Sequence, residues 1–375
     1  MDKNKQTHKR RILLATGGSG GHVSPSLSLA HALTKQGFEV GISYDSRTKH
    51  LMQNISEDNI QTFELPIHKR HSGLRGMFVF VWQILKGLYF SAKILRSFQP
   101  DLVVGFGSYA SFPMVLIAMI KGMPLVLHEQ NAVLGQVNRF AIRSAIFLAV
   151  SFENTKRVPP KDQHKIVFTG NPVRGVFEQK LASVFHPPKD NDPISIFIIA
   201  GSQGSFVFDR FISMGLTLLP LEVRRRLNVV QQVREENIAA VRKLYSDHEI
   251  EAELSPYFDD VQLHFSKAHL VVARGGSSTL FELLQMGRPG IIIPLKTSKD
   301  NHQYENAVAL QKMGAALLID QNDISGEKIA KAMVSLLLYP HLLERMHQNA
   351  LRNRSIHAAE KLASSIEEVF MKKGL

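Results

Sequence analysis

The chain contains 375 residues, and this length with 44% hydrophobic residues predicts two globular domains rather than one core. It has no cysteine, which excludes a disulfide scaffold and thiolate metal sites and fits a reducing compartment. The formal net charge of +12 indicates an anionic partner: nucleic acid, a phosphorylated substrate or anionic lipid. The basic N-terminus leads directly into an apolar run, so we expect no signal segment. With no run of about 18 apolar residues, no membrane span is predicted.

Short apolar runs alternate with helical patterns along the whole chain. They are RILLAT (11–16), EVGISY (39–44), DLVVGFG (101–107), PLVLHE (124–129), IFLAV (146–150), KIVFTG (165–170), ISIFIIAG (194–201), LNVVQQV (227–233), HLVVARGG (269–276), GIIIPL (290–295) and ALLID (316–320). Runs this short and apolar predict strands buried on both faces of parallel sheets, connected by crossover helices. The sequence therefore predicts an α/β fold of two doubly wound sheets, with a break in the Pro-rich, charged segment 170–193.

The first strand is followed by a glycine-rich loop, TGGSGGHVSPS (16–26), and then by helix-forming residues. Four glycines let the backbone turn tightly and approach a ligand, and Ser24 and Pro25 suit the start of a helix. A helix N-terminus at the carboxyl end of a parallel strand favours a phosphate or another polar ligand. Histidine titrates near neutrality, so His22 is a candidate general base. A tight turn without a ligand, and a structural histidine, are the alternatives.

Two further loops of the first half follow predicted strands. GFGSYAS (105–111) fits the dinucleotide pattern G-x-G-x-x-A, but it does not follow the first strand and lacks the required acid. We therefore exclude NAD. HEQN (128–131) places three hydrogen-bonding side chains at a strand end, where Asn131 can donate to and accept from sugar hydroxyls. A turn stabilised by Asn131 is the alternative.

Two loops of the second half have the same position after a strand. AGSQGS (200–205) could hold a phosphate through Ser202 and the glycine backbone. RGGSSTLFE (274–282) starts another helix, in which Glu282 either accepts hydrogen bonds from ribose hydroxyls or closes a capping box with Thr279. Both loops are candidate sites for a nucleotide.

The polar loop DNHQYENA (300–307) follows GIIIPL and offers consecutive amide and imidazole side chains at the binding edge of the sheet. By contrast, the D-x-D match from Asp190 to Asp192 precedes a strand, away from the carboxyl ends where ligands bind. No metal and no other cofactor is therefore predicted.

Residues 68–99 contain no acidic residue and combine cations with aromatic and aliphatic side chains. One stripe at helical spacing is expected to face the core, and it comprises Phe78, Val81, Trp82, Leu85, Leu88, Tyr89 and Ala92. The apolar residues outside this stripe are Phe80, Ile84 and Phe90, beside Lys86 and Lys93. Such a combination suits an interfacial helix on anionic lipid, and a crossover helix with a wide buried face is the alternative.

Taken together, the loops resemble the motifs of a known family. GGSGGHVSPSLSLA, HEQN, GNPVR, GSQGS, RGGSSTLFE and DNHQYENA are similar, in order, to motifs of the MurG family of peptidoglycan glycosyltransferases, and the resemblance spans residues 11–355. It implies GT-B architecture, with two Rossmann-like parallel-sheet domains facing across a cleft. Residues 1–173, joined by a C-terminal helix at 355–375, would form the acceptor and membrane-facing domain, and residues 174–354 would bind the donor.

The family resemblance implies the reaction. GlcNAc would pass with inversion from UDP-GlcNAc to the C4 hydroxyl of the MurNAc-pentapeptide of lipid I, forming lipid II for cell wall biogenesis, cell shape and cell division. The implied donor contacts are Ser19, Gly20 and Gly21 near the sugar, Asn131 and Gln303 at GlcNAc hydroxyls, Arg174 beside uracil, Ser202 at the phosphates, the Phe258 backbone at uracil, and Ser277, Ser278, Thr279, Leu280, Phe281 and Glu282 around phosphate and ribose.

Several positions depart from the family pattern. Ser19 stands where threonine is common, Phe258 replaces a smaller aliphatic residue, and His302 stands where some relatives have glutamine. Ser108 and Phe112 occupy positions where glycine is frequent. The acceptor side of the first domain is therefore matched less closely than the donor side.

The expected chemistry needs one base and a stabilised leaving group, because a sugar diphosphate is already activated. A retaining hydrolase would need two carboxylates about 5 Å apart, and no motif offers them. His22 is the first candidate for the base and Glu129 the second. Helix N-termini, with Arg174 or Arg274, would stabilise the departing UDP.

The expected partners are UDP-GlcNAc, lipid I and an anionic membrane surface contacted through residues 68–99, with no nucleic acid. The protein is expected to be peripheral, at the cytoplasmic side of the inner membrane, and the sequence leaves its oligomeric state open. Two alternatives remain. The first is another GT-B enzyme, either a UDP-GlcNAc epimerase or a different lipid glycosyltransferase. The second is a non-catalytic membrane protein that binds a nucleotide sugar.

Overall fold

A computed structural model describes residues 9–52, 60–67, 73–179, 185–189, 191–201 and 204–373, without the side chains of 73–78, 80, 81, 178, 179 and 373. The chain forms two compact units. The first ends at Arg174 and resumes at His357, and the second comprises Gly175–Ile356. Each unit contains one parallel sheet, so the predicted class of two Rossmann-like doubly wound sheets is confirmed.

The strands form a seven-stranded and a six-stranded sheet, with orders β3-β2-β1-β4-β5-β6-β7 and β10-β9-β8-β11-β12-β13. The first sheet comprises β1 (Arg11–Ala15), β2 (Glu39–Asp45), β3 (Ile60–Leu65), β4 (Leu102–Gly105), β5 (Leu125–Glu129), β6 (Leu148–Val150) and β7 (Ile166–Phe168). The second comprises β8 (Ile194–Ile199), β9 (Leu227–Gln232), β10 (Glu251–Ser255), β11 (Leu270–Ala273), β12 (Gly290–Ile292) and β13 (Ala316–Leu318). In both sheets the order reverses beside the first strand, which is where such sheets bind ligands.

The helices connect these strands. They are α1 (Gly20–Lys35), α2 (Gly73–Phe98), α3 (Ser108–Ile120), α4 (Gln136–Ala141), α5 (Gly175–Gln179), α6 (Ser213–Thr217), α7 (Leu221–Arg224), α8 (Ile238–Ser246), α9 (Val261–Lys267), α10 (Ser277–Gln285), α11 (His302–Lys312), α12 (Gly326–Leu337), α13 (Pro340–Arg352) and α14 (Ala358–Lys373). The last helix, α14, belongs to the first unit and packs against α1.

The alternation of β1 separates two cores of the first unit. Ile12 and Leu14 belong to the cluster that includes residues of α1 and α14, whereas Leu13 and Ala15 belong to the cluster that includes residues of α2 and α3. Because successive side chains of a strand point to opposite faces, both faces of the sheet are covered. This burial on two faces explains why the strand is apolar throughout.

The predicted start of α1 was wrong. The helix begins at Gly20 with Ser19 as its N-cap residue, and Pro25 lies inside it rather than at its first position. Thr16 Oγ1 donates to the carbonyl oxygen of His22 at 2.9 Å, which fixes the first turn against the end of β1. The N-terminus of the helix therefore includes Gly20, Gly21 and His22, and the helix begins five residues before Pro25.

The predicted core-facing stripe of α2 was also wrong for three of its five described members, while the other two, Leu88 and Ala92, are half-buried. Trp82, Leu85 and Tyr89 are 60%, 53% and 68% exposed, whereas Gly87, Ser91, Ile94, Leu95 and Phe98 are buried. A Cβ at Gly87 would lie 2.9 Å from Cγ of Pro113 on α3, so only a residue without a side chain fits at that crossing. Close packing of the small residues therefore turns the large apolar side chains outward. The side chains of Phe78, Phe80 and Val81 lie outside the described part.

Candidate functional site

The first glycine loop is shaped by its contacts with the ends of neighbouring strands. Gly17 and Gly18 have φ angles of 127° and 87°, which favour glycine. The Gly18 N–H donates to Oδ1 of buried Asp45, the last residue of β2, at 2.9 Å, and Arg47 Nε donates to Oδ2 of the same carboxylate. Asp45 therefore holds the turn that precedes α1. Of the residues predicted to lie near the sugar, Ser19 and Gly20 are exposed and Gly21 is half-buried at this helix N-terminus.

The ring nitrogen Nδ1 of His22 has two polar neighbours in this loop. Its Nδ1 lies 2.8 Å from the carbonyl oxygen of Phe106, immediately after β4. Because a carbonyl can only accept, this contact favours the tautomer with the hydrogen on Nδ1 and the lone pair on Nε2, whereas a hydrogen bond from the amide of Gln130 would need the lone pair on Nδ1. Gln130 Nε2 donates to the same oxygen at 2.7 Å and contacts Nδ1 of His22. The imidazole is therefore oriented as a general base would require.

A second histidine lies next to this arrangement. His128 is fully buried and its ring packs against Phe106 with the centroids 5.2 Å apart. Burial lowers the pKa of His128 to about 3, and the charge of His22 acts in the same direction. The backbone of Gly170 raises the pKa and offsets this effect only in part. The ring nitrogens of His128 have no hydrogen-bond partner of good geometry within the described part of the chain. His128 therefore stays neutral at the pH values where His22 would work.

Glu129 is engaged by its own loop. Oε1 accepts from Asn131 N–H and Asn131 Nδ2, both at 3.1 Å, while Oε2 accepts from Gly135 N–H at 2.8 Å and Asn138 Nδ2 at 3.0 Å. Burial raises the pKa of Glu129, although these donors favour the carboxylate. With both oxygens occupied, Glu129 is better placed to shape the loop that presents Asn131 than to take a proton.

In the second unit, Arg274 holds the loop after β8. Its guanidinium donates to Ser205 Oγ and, at 3.1 Å, to the carbonyl oxygen of Ile293, and it stacks on Phe208 at 4.6 Å. Burial lowers the pKa of Arg274 to about 10, so it stays charged at neutral pH. The predicted phosphate residue Ser202 lies outside the described residues.

The helix α10 contains the residues that are predicted to surround the phosphate and the ribose, from Ser277 to Glu282. It begins at Ser277 with Gly276 as N-cap residue and no side-chain cap, so the capping box of Thr279 with Glu282 was wrong. Ser278 Oγ, in the first turn, is buried and has no hydrogen-bond partner among the described residues. Leu280, Phe281 and Glu282 follow as buried residues.

The loop before α10 packs on the start of α11, which joins two of the predicted motifs. A Cβ at Gly275 would lie 2.2 Å from the carbonyl oxygen of Gln303, and Asn306 Nδ2 donates to the Gly275 carbonyl at 3.0 Å. Asp300 and Asn301 have positive φ angles of 54° and 58°, a strained conformation that concentrates at ligand sites. Gln303 Oε1 accepts from Leu295 N–H at 2.9 Å, which orients the amide.

The remaining predicted residues have different surroundings. Phe258 is buried, with its ring 6.0 Å from that of Phe197 and 4.7 Å from that of His264, so only its backbone could meet a base. Arg174 is half-buried at the end of the first unit. His302 Nδ1 donates to the Lys299 carbonyl at 2.7 Å within its own loop. Of the D-x-D match, Asp192 Oδ2 accepts from Lys189 N–H in a turn, and Asp190 lies outside the described residues.

The sequence interpretation missed two residues of this site, Asp45 and Gln130. Both are polar residues at or just after the carboxyl end of an apolar strand. That position is the signal that could have identified them, because the ends of parallel strands meet at the binding edge of the sheet.

The position of Glu282 leads to a prediction for Glu282→Gln. The substitution keeps the size of the side chain but removes the carboxylate that would accept from ribose hydroxyls. We expect the Michaelis constant for a uridine nucleotide to rise about tenfold, because hydrogen bonds to a charged acceptor contribute about 1.5–3 kcal/mol. Thermal denaturation should change by only a few degrees. Normal nucleotide binding with an early melting transition would contradict a ribose contact.

The family models match both units. The glycosyltransferase family 28 N-terminal domain matches residues 12–146, and the family 28 C-terminal domain matches residues 195–367. Two curated relatives bear the name UDP-N-acetylglucosamine--N-acetylmuramyl-(pentapeptide) pyrophosphoryl-undecaprenol N-acetylglucosamine transferase. The relative from Wolbachia pipientis subsp. Culex pipiens is 37% identical over 95% of this chain and 98% of its own length. The relative from Zymomonas mobilis is 36% identical over 96% of this chain and 92% of its own.

Solved structures are similar over the same span. The crystal structure of MurG from Acinetobacter baumannii superposes with a TM-score of 0.75 at 25% identity, covering 96% of this chain and 99% of that one. A UDP-GlcNAc 2-epimerase from Neisseria meningitidis, bound to UDP-GlcNAc, superposes with a TM-score of 0.65 at 16% identity, covering 96% and 100%. The second likeness shows the fold alone.

Proposed function

The chain belongs to glycosyltransferase family 28 and, within it, to the MurG family, and from this premise we propose that it transfers GlcNAc from UDP-GlcNAc to lipid I. The acceptor is the C4 hydroxyl of the MurNAc-pentapeptide, and the product is lipid II, an intermediate of peptidoglycan synthesis. The similarity of at least 36% over nearly the whole chain to two transferases of that name supports this assignment over an epimerase.

His22 acts as the base in the proposed reaction. Its Nε2 lone pair accepts the proton of the acceptor hydroxyl, while Nδ1–H stays bonded to the Phe106 carbonyl oxygen. The acceptor oxygen then forms a bond to the anomeric carbon, and the bond from that carbon to the diphosphate oxygen breaks with its electron pair. A single displacement inverts the configuration, and UDP leaves. The geometry of His22 is the observation that carries this mechanism.

The second unit binds the donor in this proposal. The N-terminus of α10 supplies backbone N–H groups and the Ser278 hydroxyl to the diphosphate, and Glu282 accepts from the ribose. The cation of Arg274 lies behind the loop after β8 and favours the negative charge that develops on departing UDP. Asn131 and Gln303 bind GlcNAc hydroxyls, Arg174 and the Phe258 backbone meet the uracil, and Ser202 meets the phosphates.

Product analysis tests the assignment. Incubation of the protein with UDP-GlcNAc and a soluble lipid I analogue should add one N-acetylhexosamine mass to the analogue. The proton coupling of the new anomeric centre should be that of a β-linkage, which follows from inversion of the α-linked donor. An epimerised nucleotide sugar formed without the analogue would contradict the transferase assignment, and so would binding of UDP-GlcNAc without any product.

We also propose that the exposed side of α2 docks on the cytoplasmic face of the inner membrane, where the lipid acceptor is anchored. Trp82, Leu85 and Tyr89 are exposed on it, and Lys86 and Lys93 are exposed beside them. Tryptophan, tyrosine and lysine together suit the boundary between acyl chains and anionic headgroups. In the described ranges, no helix combines the length and apolarity needed to cross a bilayer.

The double variant Trp82→Ser with Tyr89→Ser tests this docking surface. Loss of two exposed aromatic side chains should lower binding to phosphatidylglycerol vesicles at least about tenfold, because transfer of such side chains to an apolar phase contributes about 1.5–3 kcal/mol each. Turnover of a water-soluble acceptor should stay unchanged. The matched control replaces Leu338 and Tyr339, which are 49% and 53% exposed in the second unit. Equal vesicle binding by the two double variants would contradict docking through α2.

A further inference from the structure

Gln232, the last residue of β9, connects two loops of the second unit through its side chain. Oε1 accepts from the Ala200 N–H at 3.1 Å, and Nε2 donates to the Gly201 carbonyl at 3.0 Å. The same Nε2 donates to the Pro256 carbonyl at 3.1 Å. One buried amide therefore bonds the loop after β8 on one side and the loop after β10 on the other.

This connection lies where the backbone ladders end. The register between β8 and β9 ends at the pair Ile198–Gln231, and the last backbone bond toward β10 runs from Val233 N–H to the Ser255 carbonyl. Beyond these pairs, the Gln232 side chain bonds both loops. Its acceptor and both of its donor hydrogens are used in doing so.

The neighbouring residue of the same strand, Gln231, has different hydrogen-bond partners from those of Gln232. Gln231 is also buried, but its amide bonds Ser213 and Tyr245 in the core of the unit. Successive side chains of a strand point to opposite faces, which explains why two adjacent glutamines have different partners. Gln231 therefore serves packing, and Gln232 serves the loops at the binding edge.

We infer that Gln232 is a positioning residue that sets the spacing between the loop for the diphosphate and the loop for uracil. This inference rests on the proposed function, in which the loop of 200–205 meets the phosphates and the loop of 255–258 meets the base. A ligand that spans both loops binds more tightly when their spacing is already fixed, because the loops need not be ordered on binding. The affinity of a ligand that contacts only one loop does not depend on this spacing. The Gln232 amide should therefore raise the affinity for uridine diphosphate but not the affinity for uridine or for pyrophosphate.

Calorimetric titration of UDP, uridine and inorganic pyrophosphate tests the inference on Gln232→Met, which keeps the length of the side chain and removes its hydrogen bonds. The Kd of UDP should rise about tenfold, because the two loops are then no longer held at the spacing that UDP needs and must be ordered on binding. The Kd values of uridine and pyrophosphate should each change less than about twofold by the same argument. The Michaelis constant for UDP-GlcNAc should rise with the Kd of UDP, while kcat stays near the wild-type value.

Gln231→Met is the matched control, and it should lower thermal stability without separating the three ligands. If Gln232→Met does not fold, Gln232→Glu carries the same test, because a carboxylate still accepts from Ala200 but cannot donate to Gly201 or Pro256. An equal loss for all three ligands, or the same pattern in Gln231→Met, would overturn the inference and leave the proposed function intact. Absence of UDP binding by the wild-type protein would overturn both.

Discussion

Replacing His22 with alanine is expected to lower turnover about 10²–10⁴-fold, the usual contribution of a positioned general base. The variant loses the imidazole whose Nδ1 lies 2.8 Å from the Phe106 carbonyl oxygen. Donor affinity should change little, because the proposed contacts to UDP lie mainly in the second unit. Steady-state kinetics with a soluble acceptor, together with calorimetric binding of UDP, measure both quantities.

The pH profile separates proton transfer from positioning. A protonated imidazole cannot accept a proton, so the acidic limb of the turnover profile should flatten in His22→Ala if that limb reports His22. His31→Ala is the control, because His31 lies further along α1, away from its N-terminus, and is also half-buried. A loss of UDP affinity as large as the loss of turnover would make His22 a positioning residue. Wild-type turnover would remove His22 from the mechanism.

His128 is expected to make the first unit unstable in mild acid. Its pKa is about 3 in the folded protein and about 6.5 in the unfolded chain, so only the unfolded chain takes up a proton between these values. The free energy of unfolding should therefore fall as the pH drops below 6.5, by up to about 1.4 kcal/mol per pH unit from this residue. The stabilisation is fully present above pH 6.5.

The variant His128→Gln should remove this slope, because glutamine does not titrate. Urea denaturation at several pH values from 7 to about 4.5 measures it, with the wild type as reference. At pH 7 the variant should be the less stable, since it loses the packing of the ring on Phe106. His50→Gln, an exposed position, is the control and should keep the wild-type slope. Parallel slopes for wild type and His128→Gln would contradict a buried neutral histidine.

The sequence predicted the central strands and missed two at the edges. The strands β3 and β10 end one side of each sheet, and their sequences IQTFEL and EAELS mix polar and apolar residues. An edge strand has only one neighbour and more contact with solvent, so it need not be apolar throughout. A search for short apolar runs detects burial on both faces and therefore passes over such strands.

Helix boundaries and faces were harder to predict than helices themselves. In α1, Ser24 and Pro25 predict the start, but the glycine pair Gly20–Gly21 already belongs to the helix because Thr16 and Ser19 hold its first turn. In α2, the buried face includes two small residues, Gly87, where Pro113 of α3 approaches closely, and Ser91. Large apolar residues dominate a sequence pattern, so tertiary packing of small residues is not visible in it.

The candidate site could be predicted as a set of loops but not as a set of contacts. Strand-to-helix junctions located His22, Asn131 and Glu282 because parallel strands bring their carboxyl ends together. The tautomer of His22 depends on a backbone carbonyl 84 residues away, and the link through Gln232 joins loops 31 and 24 residues away. Such partners are defined only by the fold.

The most direct test of the central claim is release of UDP from UDP-GlcNAc by the full-length protein, with and without a soluble lipid I analogue. The proposed function predicts release that requires the analogue and matches its glycosylation one to one. It also predicts that the rate of UDP release and the rate of product formation fall by the same factor in His22→Ala, relative to the wild type. Release at the same rate without the analogue, or no release in its presence, would contradict the claim that this chain is a GlcNAc transferase acting on the lipid-linked muramyl sugar.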